Sequence, residues 1–255
     1  MDTIKIDKKN TKMVAHAGLF GMEAANTLAG VIAAGNRSYW GIEVDVRVTK
    51  DNEMVLIHND DIFCVSGVEM SVKNSTLSEL QHVTLYYRSH CAGVYKYEMD
   101  GDRKDCRSDL RISTLGEYIR LCKKYDKYAV VELKSEMTAE NIACILKQFE
   151  DYEYLDKAVF ISFMWESLVL VRRQAPKQRV QFLTDTQAEF SDEFLDKVKL
   201  AGFDLDINIF TTTKELIDRI HQRGMQVNVW TCDWTDKAEK LIEWGVDYIT
   251  SNILE

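Results

Sequence analysis

Proline, glycine-rich tracts and long apolar runs are scarce in this chain. Its 255 residues include one proline and 12 glycines, and no low-complexity tract is present, so a disordered linker is not expected. No apolar run approaches the roughly 18 residues that span a bilayer. Residues 1–12 are polar and lack the apolar core of a signal sequence. These absences predict a cytoplasmic protein without a transmembrane segment.

Paired cysteines and an excess of basic residues are lacking as well. The six cysteines are widely spaced with no C-x-x-C pair, which argues against a zinc cluster and favours free thiols. The formal net charge of −9 argues against a nucleic-acid-binding surface, although a local basic pocket for an anion remains compatible with it. The 46% of hydrophobic residues is typical of a globular protein with a large core.

Strands and helices alternate along most of the chain. Eight short β segments, from residues 12–16 to residues 247–251, are separated by segments with helical periodicity. A further extended segment at residues 54–58 follows a turn at residues 49–52. Eight such units over about 250 residues predict a (β/α)8 TIM barrel. A doubly wound open sheet is the alternative, and the absence of G-x-G-x-x-G at a helix start weakens its dinucleotide-binding version.

Residues 61–111 interrupt this alternation. Within them, the sequence STLSELQHV predicts a short helix, because Thr76 and Glu79 have the spacing of a capping box. Residues 85–110 are rich in tyrosine and charge and have no clear period. We interpret residues 61–111 as a small insertion after the second strand, on the rim of a single domain that spans residues 1–255.

The most informative stretch is GIEVDVRVTKDNEMVLIHND at residues 41–60. Its first half alternates between apolar and polar residues, as a strand does, and places Glu43 and Asp45 on one face. After the turn, the returning segment ends in His58. A polar strand face ordinarily lies in solvent, so this stretch alone is compatible with a solvated strand as well as with a site.

Further polar residues occur at the predicted C-terminal ends of strands, where the active sites of (β/α)8 barrels form. His16 ends the first strand, Glu132 and Lys134 lie near the end of the third, and Trp230 lies near the end of the seventh. Each residue taken singly is compatible with a structural role. Together, three carboxylates on neighbouring strands suit a hard cation such as Mg²⁺ or Ca²⁺. Two histidines without a cysteine partner suit paired acid and base chemistry.

These residues and their order resemble the glycerophosphodiester phosphodiesterases, which are metal-dependent (β/α)8-barrel enzymes. The resemblance runs nearly from end to end. Its most specific part is an E-x-D pair, a turn and a histidine, followed by E-x-K and then W-T. The matching motifs read VAHAG, GIEVDVRVTKDNEMVLIHND, STLSEL, STLGEYI, VVELK, ISFMWESL, VNVWT and GVDYITSN.

The resemblance implies roles for the residues at the predicted rim. Glu43, Asp45 and Glu132 would bind one divalent cation, either Mg²⁺ or Ca²⁺. His16 and His58 would be the general acid and base, and the sequence does not assign which histidine plays which part.

The resemblance also implies a substrate and a reaction. Lys134 would bind the phosphate, and Trp230 would line the glycerol side of the pocket. The glycerol 2-hydroxyl would attack the phosphorus of a small-molecule glycerophosphodiester, and water would open the resulting cyclic phosphate to glycerol 3-phosphate. The alternatives are a phosphodiesterase for a different lipid-derived diester, and a non-catalytic barrel that binds metal or phosphate.

Three departures separate the chain from this family pattern. H-R-G reads HAG at residues 16–18, P-E-N reads AAN at residues 24–26, and T-D reads TSN at residues 250–252. Ala17 therefore replaces a phosphate-binding arginine, and Ala25 replaces a glutamate. We hypothesise that the two absent residues contact each other, because losing only one would leave a buried charge unpaired. Without the arginine, we expect weaker phosphate binding.

Overall fold

The computed structural model describes residues 2–85, 110–186 and 190–255, and within them eight parallel strands close into a barrel. Neighbouring barrel strands pair in chain order, and the first strand closes the ring because it pairs with the second and the last. In chain order, the strands are β1 (Lys12–Ala15), β2 (Gly41–Val48), β3 (Met54–Leu56), β4 (Ser113–Thr114), β5 (Tyr128–Leu133), β6 (Ala158–Ser162), β7 (Arg179–Thr184), β8 (Asp204–Asn208), β9 (Val227–Trp230) and β10 (Tyr248–Ser251). The open-sheet alternative is therefore wrong, and the (β/α)8 prediction is confirmed.

Helices lie between the barrel strands. They are α1 (Leu28–Gly35), α2 (Phe63–Ser66), α3 (Leu77–Gln81), α4 (Leu115–Tyr125), α5 (Ala139–Asp151), α6 (Trp165–Gln174), α7 (Asp192–Leu200), α8 (Lys214–Gln222) and α9 (Thr235–Glu243). Six of them follow a serine or threonine whose side chain accepts a hydrogen bond from the first turn, which fixes where the helix begins. No helix in the described ranges is long and apolar enough to cross a membrane.

The alternation predicted for β2 separates two environments. Ile42, Val44 and Val46 pack in the core between the strands and the helices. Glu43 and Asp45 are only 3% and 2% exposed, so the polar face of β2 is buried in the barrel and the solvated interpretation is wrong.

Aromatic side chains pack inside the barrel at the N-terminal ends of its strands, opposite the end that carries Glu43 and Asp45. Trp40, just before β2, stacks on Tyr128 with ring centroids 4.1 Å apart. The ring centroid of Tyr248 lies 4.9 Å from that of Trp40. These residues lie at the starts of their strands, so the interior is packed at the N-terminal end.

Two short strands extend the sheet beyond the barrel. β3 pairs antiparallel with β2, as the predicted hairpin requires, and β4 pairs antiparallel with β3. Ser113 and Thr114 form β4, which was not predicted, and Thr114 is also the N-cap of α4. Two residues are too few to show a strand period.

The predicted insertion is only partly described. The α3 helix has the predicted capping box of Thr76 and Glu79, whereas α2 was not predicted. Most of the aperiodic segment, residues 86–109, lies outside the described residues. The single domain with an insertion at residues 61–111 therefore stays a prediction.

Two glycines with similar backbone angles differ in their surroundings. Gly18 has φ +85°, and an added Cβ would lie 2.9 Å from the backbone carbonyl carbon of Gly30. Gly245 has φ +84°, but an added Cβ would meet no atom within 4 Å. Gly245→Ala should therefore cost about 1–2 kcal/mol for the left-handed backbone alone. Gly18→Ala should cost about 1–3 kcal/mol more, because the α1 backbone must move. Urea unfolding measures the free energy of unfolding of both variants. Equal losses of stability in the two variants would contradict the close approach of Gly18 to Gly30.

Candidate active site

Three carboxylates from two adjacent strands meet inside the barrel. Glu43 and Asp45 lie on β2 and Glu132 lies on β5, where the parallel register pairs Asp45 with Glu132. One oxygen from each side chain lies within 4.8 Å of the other two, and all three residues are 9% exposed or less. The structure thus brings together the three predicted metal ligands.

The environment of these carboxylates disfavours their ionisation. Burial, with Asp45 and Glu132 nearby, raises the pKa of Glu43 well above its ordinary value. Burial and the proximity of Asp45 raise the pKa of Glu132 to about 7. Oε2 of Glu43 accepts a hydrogen bond from the Ala17 N–H at 2.8 Å, but its buried Oε1 has no hydrogen-bond partner among the residues that the structure describes. This unpaired oxygen in a set of oxygen ligands fits a divalent cation.

Lys134 supplies positive charge to the cluster. Its Nζ lies 2.9 Å from Oε1 of Glu132 and 3.6 Å from Oδ1 of Asp45. Burial lowers the pKa of Lys134, but Asp45 and Glu132 more than offset this effect and raise it above its ordinary value. Nζ also lies 3.0 Å from Nε2 of His58, so Lys134 joins the carboxylates to a predicted catalytic histidine.

His16 is oriented by a chain of hydrogen bonds. Its Nδ1 lies 2.8 Å from Oδ1 of Asn252, and Nδ2 of Asn252 donates to Oδ2 of Asp233 at 2.7 Å. Because a carboxylate only accepts, the Asn252 amide must present its oxygen to His16, and the His16 proton is assigned to Nδ1. Nε2 is then the nitrogen that faces Glu43, at 4.0 Å from Oε2.

His58 is held by a different set of contacts on the loop after β3. Its Nδ1 lies 2.7 Å from Oδ1 of Asn59. Arg47 donates to the His58 carbonyl oxygen from Nε at 2.9 Å and from Nη2 at 2.7 Å, and it also pairs with Asp60. The contacts of Arg47 anchor the loop that carries His58.

Asn26 fixes the position of Asp45. Its Nδ2 donates to Oδ2 of Asp45 at 2.7 Å, and its Oδ1 accepts from the Asp45 N–H at 2.9 Å. Asn26 is 4% exposed with φ +57°, a backbone conformation that asparagine adopts more readily than most residues. Asn26 is the one residue of P-E-N that AAN retains, which is the signal that could have identified it.

A cavity of about 330 Å³, which we call the Trp230 cavity, opens beside the carboxylates. It is lined by His16, Glu43, His58, Glu132, Lys134, Ile161, Phe163, Leu183, Asp206, Trp230 and Thr250. The structure therefore brings Lys134 and Trp230 to one cavity with both histidines. Asp206 was not predicted and is 1% exposed. Within the described part of the chain, neither Oδ1 of Asp206 nor Nε1 of Trp230 has a hydrogen-bond partner.

A second cavity of about 340 Å³, which we call the Ala25 cavity, shares His16 and His58 with the first. Ala17 and Ala25 both line it. Longer side chains at these two positions would share this space, as the hypothesis that the absent arginine and glutamate contact each other requires.

Comparison with known proteins identifies the family of this chain. The sequence model of the Glycerophosphoryl diester phosphodiesterase family matches residues 16–254. The chain belongs to this family. The match begins at His16 and includes every residue of the predicted site.

Relatives in this family cover nearly all of the chain. A glycerophosphodiester phosphodiesterase from Caldanaerobacter subterraneus subsp. tengcongensis is 26% identical over 245 residues, which are 95% of this chain and 94% of that protein. An Oleispira antarctica phosphodiesterase, solved in complex with the product sn-glycerol-3-phosphate, has a TM-score of 0.82 at 20% identity and covers 98% of this chain and 96% of its own. The Thermotoga maritima glycerophosphodiester phosphodiesterase has a TM-score of 0.74 at 21% identity, and the match covers 95% of this chain and 94% of that protein. These two structures have the same fold.

The raised pKa of Glu132 predicts a coupling between pH and cation binding. Its pKa is about 7 in the folded protein, against an ordinary value of 4.5. The protonated Glu132 therefore adds to the free energy of unfolding below pH 4.5, and this contribution is lost as the pH rises through 7. A divalent cation binds the ionised carboxylates and should restore that stability. The Tm difference between Mg²⁺ and chelator should therefore widen from about pH 5 to about pH 8. Glu132→Gln should remove most of this widening, and a Tm difference that is independent of pH in the parent protein would contradict the assignment.

Proposed function

We propose that this chain hydrolyses glycerophosphodiesters to glycerol 3-phosphate and an alcohol, with a divalent cation held by Glu43, Asp45 and Glu132. The observation that carries the proposal is the buried cluster of three carboxylates, with an unpaired Glu43 oxygen, beside two histidines that share two cavities. Membership of the family supports the reaction class. The product bound to the Oleispira antarctica phosphodiesterase supports glycerol 3-phosphate as the product.

The residues around the carboxylates prepare them to hold a cation. The Ala17 N–H and the Asn26 side chain each bind one carboxylate oxygen and leave others available. Mg²⁺ or Ca²⁺ at this position would neutralise the phosphodiester and lower the pKa of the attacking hydroxyl. Lys134, within 4 Å of two of the carboxylates, is placed to donate a charge-assisted hydrogen bond to a phosphate oxygen.

Proton transfer is assigned to the Nε2 atoms of His16 and His58. In each histidine, Nδ1 is bound to an asparagine oxygen, so Nε2 is the nitrogen that exchanges a proton with the substrate. Nε2 of His58 lies 3.0 Å from Nζ of Lys134, and the phosphate of the substrate would replace this contact. One Nε2 takes the proton of the glycerol 2-hydroxyl, and the other gives a proton to the departing alcohol. The roles reverse when water opens the cyclic phosphate, so the site returns to its starting protonation state.

Glycerol is assigned to the Trp230 cavity. The unpaired Oδ1 of Asp206 and Nε1 of Trp230 supply an acceptor and a donor there, and both atoms are buried. Hydroxyl groups of glycerol can satisfy both, which would remove the cost of leaving them unpaired.

The histidine assignment predicts the behaviour of alanine variants. With glycerophosphocholine and glycerophosphoethanolamine as substrates, we expect product with Mg²⁺ or Ca²⁺ and none after chelation. His16→Ala and His58→Ala should each lower kcat by about 10²–10⁴-fold, because a positioned proton carrier is lost. His82→Ala is the control, since His82 is exposed at the end of α3, away from both cavities. No cation-dependent product, or histidine variants as active as the parent, would refute the proposal.

The orientation of His16 predicts a smaller effect from its partner. Asn252→Leu removes the acceptor for Nδ1 and should lower kcat by about tenfold, the equivalent of one hydrogen bond, while KM changes little. NMR of ¹⁵N-labelled protein should show the proton on Nδ1 of His16 in the parent and a mixture of tautomers in Asn252→Leu. An unchanged kcat and an unchanged tautomer would show that Asn252 does not position His16.

A further inference from the structure

The Ala25 cavity has no role in the chemistry described above, although it adjoins the reacting centre. Asp45 lines it, whereas Glu43 and Glu132 line the Trp230 cavity, and both histidines border the two. The carboxylates and histidines therefore lie at the boundary between two cavities of similar volume. A phosphodiester has two alcohol arms on one phosphorus, so a substrate centred at this boundary extends one arm into each cavity.

The two cavities differ in chemistry. The Ala25 cavity is walled mainly by apolar side chains, and the most buried of them are Ala17, Ala24, Leu56, Ile57, Leu85 and Ile112. No lysine or arginine is found among the described residues that line it. Its walls therefore resemble a binding site for an apolar group.

The polar side chains at its edge already have partners. Asn26 is bound to Asp45 at 2.7 Å, and Asn59 is bound to His58 at 2.7 Å. Asp61 accepts the N–H of Phe63 at 2.8 Å. The Trp230 cavity, in contrast, contains a buried acceptor and a buried donor without partners. The glycerol hydroxyls are therefore better matched by the Trp230 cavity, and the other arm is left to the Ala25 cavity.

We propose that the Ala25 cavity binds the leaving alcohol and selects diesters whose leaving alcohol carries an apolar chain over those with a small polar head group. This inference rests on the proposed function and names its substrate class. The short side chains of Ala17 and Ala25 leave the space open, and a charged residue at either position would occupy it. The walls come from the β1–α1 loop, from β3 and from α2, so substitutions on separate elements can narrow the cavity.

A homologous series of substrates tests the proposal. Glycerophosphoryl esters of ethanol, butanol, hexanol and octanol have leaving alcohols of similar acidity. Differences in kcat/KM among them therefore report binding of the alkyl chain of the alcohol. We expect kcat/KM to rise by up to roughly fourfold for each added methylene until the cavity is filled. Glycerophosphoethanolamine should be a poorer substrate than the butyl ester.

Matched variants locate the effect. Cys64 is a half-buried residue of α2 in the cavity wall, and Cys144 is an exposed residue of α5. Cys64→Phe should lower the octyl-to-ethyl ratio of kcat/KM by about tenfold or more, because the ring displaces several methylene groups from the cavity. Cys144→Phe should leave this ratio unchanged. Ala25→Phe narrows the cavity from a different element, the β1–α1 loop, and serves if Cys64→Phe does not fold.

The outcomes separate this inference from the function on which it rests. Cation-dependent hydrolysis of all the esters at similar kcat/KM would overturn the apolar selectivity and leave the phosphodiesterase proposal standing. Preference for glycerophosphocholine or glycerophosphoethanolamine over the octyl ester would also overturn it. If the octyl-to-ethyl ratio of kcat/KM fell equally in Cys64→Phe and Cys144→Phe, the alkyl chain would bind outside the Ala25 cavity and the proposal would be wrong. No cation-dependent hydrolysis of any diester would refute the proposed function itself, and this inference with it.

Discussion

Mutual repulsion among three buried carboxylates is the constraint on which the rest of the site depends. Oxygen atoms of Glu43, Asp45 and Glu132 lie within 4.8 Å of one another in the barrel interior, where burial limits the screening of their charge. One ammonium, that of Lys134, offsets part of the charge, and neutral N–H groups satisfy single oxygens. A divalent cation held by these oxygen atoms would compensate the remainder.

The strands of the barrel position the carboxylates, and loops carry the two histidines. Register between β2 and β5 aligns the carboxylates, while aromatic packing closes the other end of the interior. The histidines come from loops, and each is oriented through Nδ1 by an asparagine. Both histidines border two cavities, one containing polar atoms without a partner among the described residues and one with mainly apolar walls, and Nε2 of His58 lies 3.0 Å from Nζ of Lys134.

The sequence predicts those parts of the fold and site that have a period or a motif. The alternation in β2 and the E-x-K motif, which begins in β5 and ends just after it, predict that the three carboxylates and Lys134 lie together, and the structure brings them together. The supporting contacts lie in irregular segments. The TSN motif at residues 250–252 indicates only that an aspartate is absent, whereas the carboxylate that binds Asn252 comes from Asp233, 19 residues earlier. Asp206 lies on a strand, but nothing in one sequence distinguishes it from a solvated aspartate.

The claim that the three carboxylates bind a cation is the centre of this account. A crystal grown with Mn²⁺, which carboxylate ligands also accept, can be measured at the manganese absorption edge. The account predicts an anomalous peak contacted by oxygen atoms of Glu43, Asp45 and Glu132. Manganese found only elsewhere, with the carboxylates still paired to Lys134 at saturating Mn²⁺, would contradict it.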